Sequence, residues 1–115
     1  MLNVNEIPQG VKFAVINKSG ATTSQIVAAV SGARIRVLGY VLSASGAATL
    51  TWITGTSTAI SGGLEFVGAA LVPFSAGFNP VGHFQTEIGE RLALSSDAAV
   101  DADGHLVYIE VEAET

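Results

Sequence analysis

Ala33-Arg-Ile-Arg-Val-Leu-Gly-Tyr-Val-Leu-Ser43 is the stretch on which the fold turns. β-Branched, aromatic and long aliphatic residues recur through it with the two-residue period of a strand. Ile35, Val37 and Val41 face one way; Arg34, Arg36, Leu38, Tyr40 and Leu42 face the other. Ala44-Ser45-Gly46 follows and reads as a short hairpin loop, because glycine supplies the positive φ that such loops need. The partner strand is Ala47 to Thr54, rich in threonine and carrying the only tryptophan, Trp52.

Working outward, the same punctuation repeats. Val11 to Asn17 alternates, with Val11, Phe13 and Val15 on one face and Lys12, Ala14 and Ile16 on the other, and it stops at the turn Lys18-Ser-Gly20. Ser24 to Val30 is a second apolar run. Gly55 to Gly63 is a Thr/Ser/Gly-rich loop or short edge strand, and Leu64 to Val67 and Ala70 to Phe74 are short strands, the latter held to an edge by Pro73. Phe78-Asn-Pro-Val-Gly82 is a turn before the strand His83 to Thr86, and Leu92 to Ser95 is another. Asp103-Gly104 has the composition of a hairpin turn. The last strand, Leu106 to Glu112, is expected to turn Val107, Ile109 and Val111 inward and Tyr108, Glu110 and Glu112 outward. Short strands at spacings of about ten residues predict an all-β chain, an antiparallel β-sandwich. A jelly roll of about eight strands fits better than an immunoglobulin-like sandwich, which would more often carry a cysteine pair. The expected organisation is one domain over residues 11–115, preceded by an N-terminal arm over residues 1–10.

Composition narrows the function classes. The 115 residues are 49% apolar and 13% charged, carry a formal charge of −5, and include no cysteine. Disulfides, thiolate metal sites and thiol nucleophiles are therefore excluded. Five basic residues are too few for a nucleic-acid surface. Mean hydropathy is +0.49, yet no run approaches the roughly 20 apolar residues of a spanning helix. The N-terminus has neither a basic region nor an apolar run, so a chain made in the cytoplasm, with no membrane partner, is expected. Surplus hydrophobicity finds its simplest sink in a subunit interface, which predicts a homo-oligomer. Lys12, Lys18, Arg34 and Arg36 stand against Glu6 in residues 1–57, whereas residues 58–115 set Arg91 against nine carboxylates.

Catalytic signals are weak. Asp101, Asp103 and His105 share one face of an extended segment, but Asp-Gly flanking a hairpin is the simpler reading, and the ligand run of a calcium loop is missing. Glu87 and Glu90 beside Gly89 read as loop solubilisers rather than a glycosidase pair. No serine sits in a nucleophile elbow, and no phosphate loop or cofactor motif occurs. Neither catalytic, cofactor nor metal residues are assigned, and an enzyme is not expected. The face carrying Arg34, Arg36, Leu38 and Tyr40 has the composition of an interface hot spot. Glu110 and Glu112 are the expected partners for its guanidinium groups, within or between subunits.

The run Gly32 to Trp52, followed by Phe78-Asn-Pro-Val-Gly-His-Phe-Gln-Thr86, Gly89-Glu-Arg-Leu-Ala-Leu94 and Gly104-His-Leu-Val-Tyr108, resembles a group of small virion proteins of tailed bacteriophages. Their shared pattern is a basic-Ile-Arg-Val strand, a Ser-Gly loop, an Asn-Pro-x-Gly turn, a Gly-Glu-x-Leu segment and a Gly-His-Leu-x-Tyr last strand. The likeness covers about residues 11 to 112, and its motifs are structural. It implies a jelly-roll sandwich that trimerises and binds the major capsid protein on the outside of a phage head, as a decoration or cement protein of the virion. Another particle component, such as a head-fibre base, a tail part or a receptor- or glycan-binding module, is the alternative. The loops between Gly55 and Gly77 or the N-terminal arm are where a capsid-facing surface is expected.

Overall fold

In the computed structural model of the chain, residues 10–20, 22–67 and 73–112 are described. They form β1 (Lys12–Lys18), β2 (Thr23–Val27), β3 (Ala33–Ala44), β4 (Ala48–Thr54), β5 (Thr58–Ala59), β6 (Leu64–Phe66), β7 (Phe74–Ala76), β8 (Phe84–Gln85), β9 (Leu92–Ser96) and β10 (Ala102–Glu112). Among the described residues there is no helix. The expected N-terminal arm, apart from Gly10, and the first part of the predicted strand Ala70 to Phe74 lie outside the described residues; β7 begins just after Pro73.

Two antiparallel sheets pack face to face. One has the order β1-β10-β3-β7, with β8 also on β3; the other has the order β2-β9-β4-β5, with β6 also on β4. Both β7 and β8 run along one edge of β3, and β5 and β6 along one edge of β4, so each pair is one strand interrupted by a loop. Counted that way, eight strands alternate between the two sheets except at the step from β4 to β5. This is the winding of a jelly roll, as the sequence predicted.

The inner faces supply the core: Ile16, Ile35, Val37, Tyr40 and Leu42 with Ala102 and Leu106 from the first sheet, and Leu50, Trp52, Leu92 and Leu94 from the second. Full burial of such side chains stabilises the fold by about 1.5–3 kcal/mol each. The Tyr40 ring stands edge-on to Trp52, with centroids 5.3 Å apart, and Phe84 covers Trp52 from the next strand at 5.7 Å. The indole Nε1 of Trp52 is buried and has no hydrogen-bond partner.

Four local expectations are corrected. First, the period of β3 breaks. Gly39 pairs with Val107 and Val37 with Tyr108, so Leu38 is an extra, unpaired residue, a β-bulge. A bulge shifts the alternation by one. Tyr40 and Leu42 therefore join Ile35 and Val37 in the core instead of continuing the face of Arg34 and Arg36. Second, the last strand is turned over: Ala102 and Leu106 are fully buried and Tyr108 packs on the core, which leaves Val107, Ile109 and Val111 on the outer face. Alternation gives the period but not which phase is inside; the packing of β10 beside Tyr40 and Leu42 of β3 sets the phase. Third, β3 and β4 are not a hairpin but lie in different sheets. Ser45-Gly46-Ala47 is the corner between them, tied down by Ser45 N–H to the Asp101 carbonyl and Asp101 N–H to Ser45 Oγ. Fourth, Asp103-Gly104 is no turn but the second and third residues of β10, between β1 and β3. Gly104 has φ +153°, and a Cβ there would lie 1.9 Å from the Val41 carbonyl oxygen. Glycine is required here for close strand approach.

Candidate interaction surface

The outer faces of the two sheets differ in chemistry. On the second sheet, Thr23, Gln25, Thr49, Thr51, Glu65 and Ser95 point outward, and Thr23 Oγ1 donates to Ser95 Oγ at 3.5 Å. On the first, two rows of residues cross the strands. Phe13, Val107 and Gly39 form one row, and Val15, His105, Val41 and Ser75 form the next. Phe13 is 77% exposed and Val15 73%. These rows carry no acidic side chain and no Lys or Arg, which makes them the candidate interaction surface among the described residues.

Gly39 is the floor of a groove of about 240 Å³ on this face, lined also by Val41, Ser75, Phe78, His105 and Val107. The bulge at Leu38 explains it. Opposite the bulge the β7–β8 strand opens into a loop, anchored by Asn79 N–H to the Leu38 carbonyl at 2.7 Å and His83 N–H to the Val37 carbonyl at 2.8 Å. Asn79-Pro80-Val81-Gly82 is the expected turn, closed by Gly82 N–H to the Asn79 carbonyl, with Gly82 at φ +99°. It holds Phe78, 64% exposed, as one wall of the groove. A Cβ on Gly39 would lie 3.3 Å from the Phe78 Cα, so the bare floor is what lets the loop approach.

The structure divides the predicted interface residues. Arg34 and Arg36 do project from the outer face, at the end of the sheet. Arg34 Nη1 donates to the Thr86 carbonyl at 3.2 Å and lies 3.8 Å from the Glu87 carboxylate; Arg36 Nε donates to Gln85 Oε1 at 3.0 Å. Tyr40 belongs to the core, and Leu38 is buried at the bulge. Glu110 and Glu112 pair with Ile35 and Ala33, and so lie on the opposite side of the sheet from Arg34 and Arg36. Within one chain Glu110 instead meets Lys12 at 3.9 Å. Phe13, Val15, Val107 and Gly39 were missed as a surface. The signal available for them was the double apolar alternation of Val11 to Asn17, in which both phases are apolar and only one can be inside.

The remaining chemical candidates are spread over the strands and turns. Asp103 and His105 occupy successive outward positions of β10, and His83 Nε2 is 2.7 Å from the Gly77 carbonyl. Glu90 accepts from Thr54 Oγ1 at 2.8 Å, while that oxygen accepts from Glu87 N–H at 2.9 Å, which braces the turn around Gly89 against β4. Lys18 is buried where β1 ends and donates to the Val100 carbonyl at 2.6 Å. Burial lowers its pKa, and the Asp101 carboxylate opposes the shift.

No family model, curated protein or solved structure matches the chain.

Proposed function

We propose that the chain is a self-assembling structural protein of a bacteriophage particle, a decoration or cement protein that binds the outer surface of the head and stabilises it without turnover. The observation that carries the reading is the pair of apolar rows without acidic, Lys or Arg side chains, Phe13-Val107-Gly39 and Val15-His105-Val41-Ser75, on the outer face of the β1-β10-β3 sheet of a chain whose other sheet turns Thr23, Thr49, Thr51 and Ser95 outward. A jelly roll with one sticky face suits a module that acts by filling contacts between copies and against a shell. The likeness of its strand and turn motifs to phage virion proteins supplies the partner, a major capsid protein, and a trimer as the unit. Addition to capsids stripped of their accessory proteins is the test. Saturable binding at a fixed ratio, with a rise in the temperature at which the capsids open, is the expected result. Absence of capsid binding together with labelling of host cells or glycans would replace the reading with a receptor-binding module.

A further inference from the structure

We infer that the free edge of β1 takes up an extended strand of the partner protein, which lengthens the β1-β10-β3 sheet by one strand beside Phe13 and Val15. This rests on the proposed function and names the part of the chain that engages the shell. Two antiparallel sheets have four edges, and among the described residues three of them are broken up. Along β3 the edge is divided between β7, of three residues, and β8, of two. Along β4 it is divided between β5, of two, and β6, of three. β2 has five residues, and its register slips between Gln25 and Val27. Short strands and bulges are the devices that keep a sheet edge from pairing with other chains. β1 has neither: its seven residues follow β10 from Lys12 to Lys18 without a shift in register. Charge does not guard it either. Lys12 and Lys18 stand at its two ends, where Lys12 meets Glu110 and Lys18 donates to the Val100 carbonyl; Phe13-Ala-Val-Ile-Asn17 between them has no charged residue, no proline and no glycine.

The chemistry of an edge specifies its occupant. Successive residues of an edge strand turn their N–H and C=O groups alternately toward the neighbouring strand and away from it, so about half of the backbone groups of β1 face away from β10. Only another extended backbone matches their spacing; its main chain supplies affinity and its alternate side chains selectivity. On the outer face the incoming strand lies beside the exposed Phe13 and Val15, so its outward residues are apolar. A second copy of the chain does not fit the position. Pairing of β1 with β1 is an isologous, two-fold contact, which makes dimers and not a ring of three, and the other edges of the chain are too short to receive β1. The edge is left to a different chain.

Ala14→Pro and Val15→Pro, made separately, test the edge. One of these two N–H groups points to β10 and the other away from it. Proline at the first position disrupts the β1-β10 ladder; at the second it leaves the ladder paired and removes a donor only from the edge. Circular dichroism and urea midpoints identify the variant that keeps the wild-type fold, and that variant is added to capsids stripped of their accessory proteins. Its affinity is expected to fall by about tenfold or more, through the lost backbone hydrogen bond and the unpaired acceptor opposite it. Hydrogen exchange of the wild-type protein is a second readout that needs no variant: amides of alternate β1 residues are expected to exchange fast in the free protein and slowly on the capsid. A folded edge variant that binds like the wild type, edge amides already protected in the free protein, or edge amides that stay fast on the capsid would each overturn the inference and leave the virion reading standing. A wild type that binds no capsid removes the virion reading and this inference with it.

Discussion

Gly104→Ala is the substitution that most sharply tests the placement of β10 in the middle of its sheet. Alanine there meets two penalties. The backbone at φ +153° lies where L side chains rarely go, a strain of about 1–3 kcal/mol. The new Cβ also falls 1.9 Å from the Val41 carbonyl oxygen and 2.8 Å from its carbon, so β3 must move, at a cost of about 1–3 kcal/mol for overpacking. The sum, roughly 2–6 kcal/mol, is a large share of the 5–15 kcal/mol that holds a typical domain together. Gly32 is the control: it has φ +76° and nothing within 4 Å of its would-be Cβ, so Gly32→Ala carries only the backbone term, about 1 kcal/mol. Equilibrium urea unfolding of the two variants measures the difference. Equal losses for both, near 1 kcal/mol, would mean that residue 104 sits in an open turn and that the strand assignment is wrong.

Further outcomes follow from the core and its braces. Thr54→Val removes the hydroxyl that donates to Glu90 and accepts from Glu87 N–H; a loss of about 1.5–3 kcal/mol in urea unfolding is expected, and a loss below 0.5 kcal/mol, on the order of an ordinary surface change, would refute the brace. Burial raises the pKa of the Tyr40 hydroxyl above its usual value of 10.0. The folded state therefore prefers the neutral phenol, and this contribution is complete below pH 10 and is lost as pH rises through the raised value. Tyr40→Phe is expected to shrink the alkaline fall in stability between those limits, with Tyr108, raised chiefly by its own burial, left to account for the remainder. An unchanged alkaline profile would contradict a buried Tyr40.

The strands were legible because alternation and turn chemistry are local. β3, β4, β6 and β9 fall where Ile/Val/Leu runs end in Ser, Gly or Asp, β10 covers the expected run Leu106 to Glu112 but begins four residues earlier, and the Asn79–Gly82 turn could be read from residue types alone. What escaped was the non-local part. One inserted residue at Leu38 reverses the faces of half of β3, and nothing in Val-Leu-Gly-Tyr announces it; the bulge lies beside Gly39, where the loop around Phe78 comes close. In β10 both phases are apolar enough to be buried, so the phase was decided by the neighbouring strands. Asp103-Gly104 carries turn chemistry in a place where glycine serves strand contact, and Ser45-Gly46 serves a corner between sheets where a hairpin had been expected. Of the six residues predicted for an interface, Arg34 and Arg36 are on the outer face. Tyr40 was lost to the core by the same bulge that builds the groove.

Light scattering of the wild-type protein across a dilution series tests the central claim, that the outer face of the β1-β10-β3 sheet is an assembly surface. The account predicts a stable species at three times the 11.7 kDa chain mass that survives dilution until it dissociates cooperatively. A single 11.7 kDa species at every concentration would contradict it.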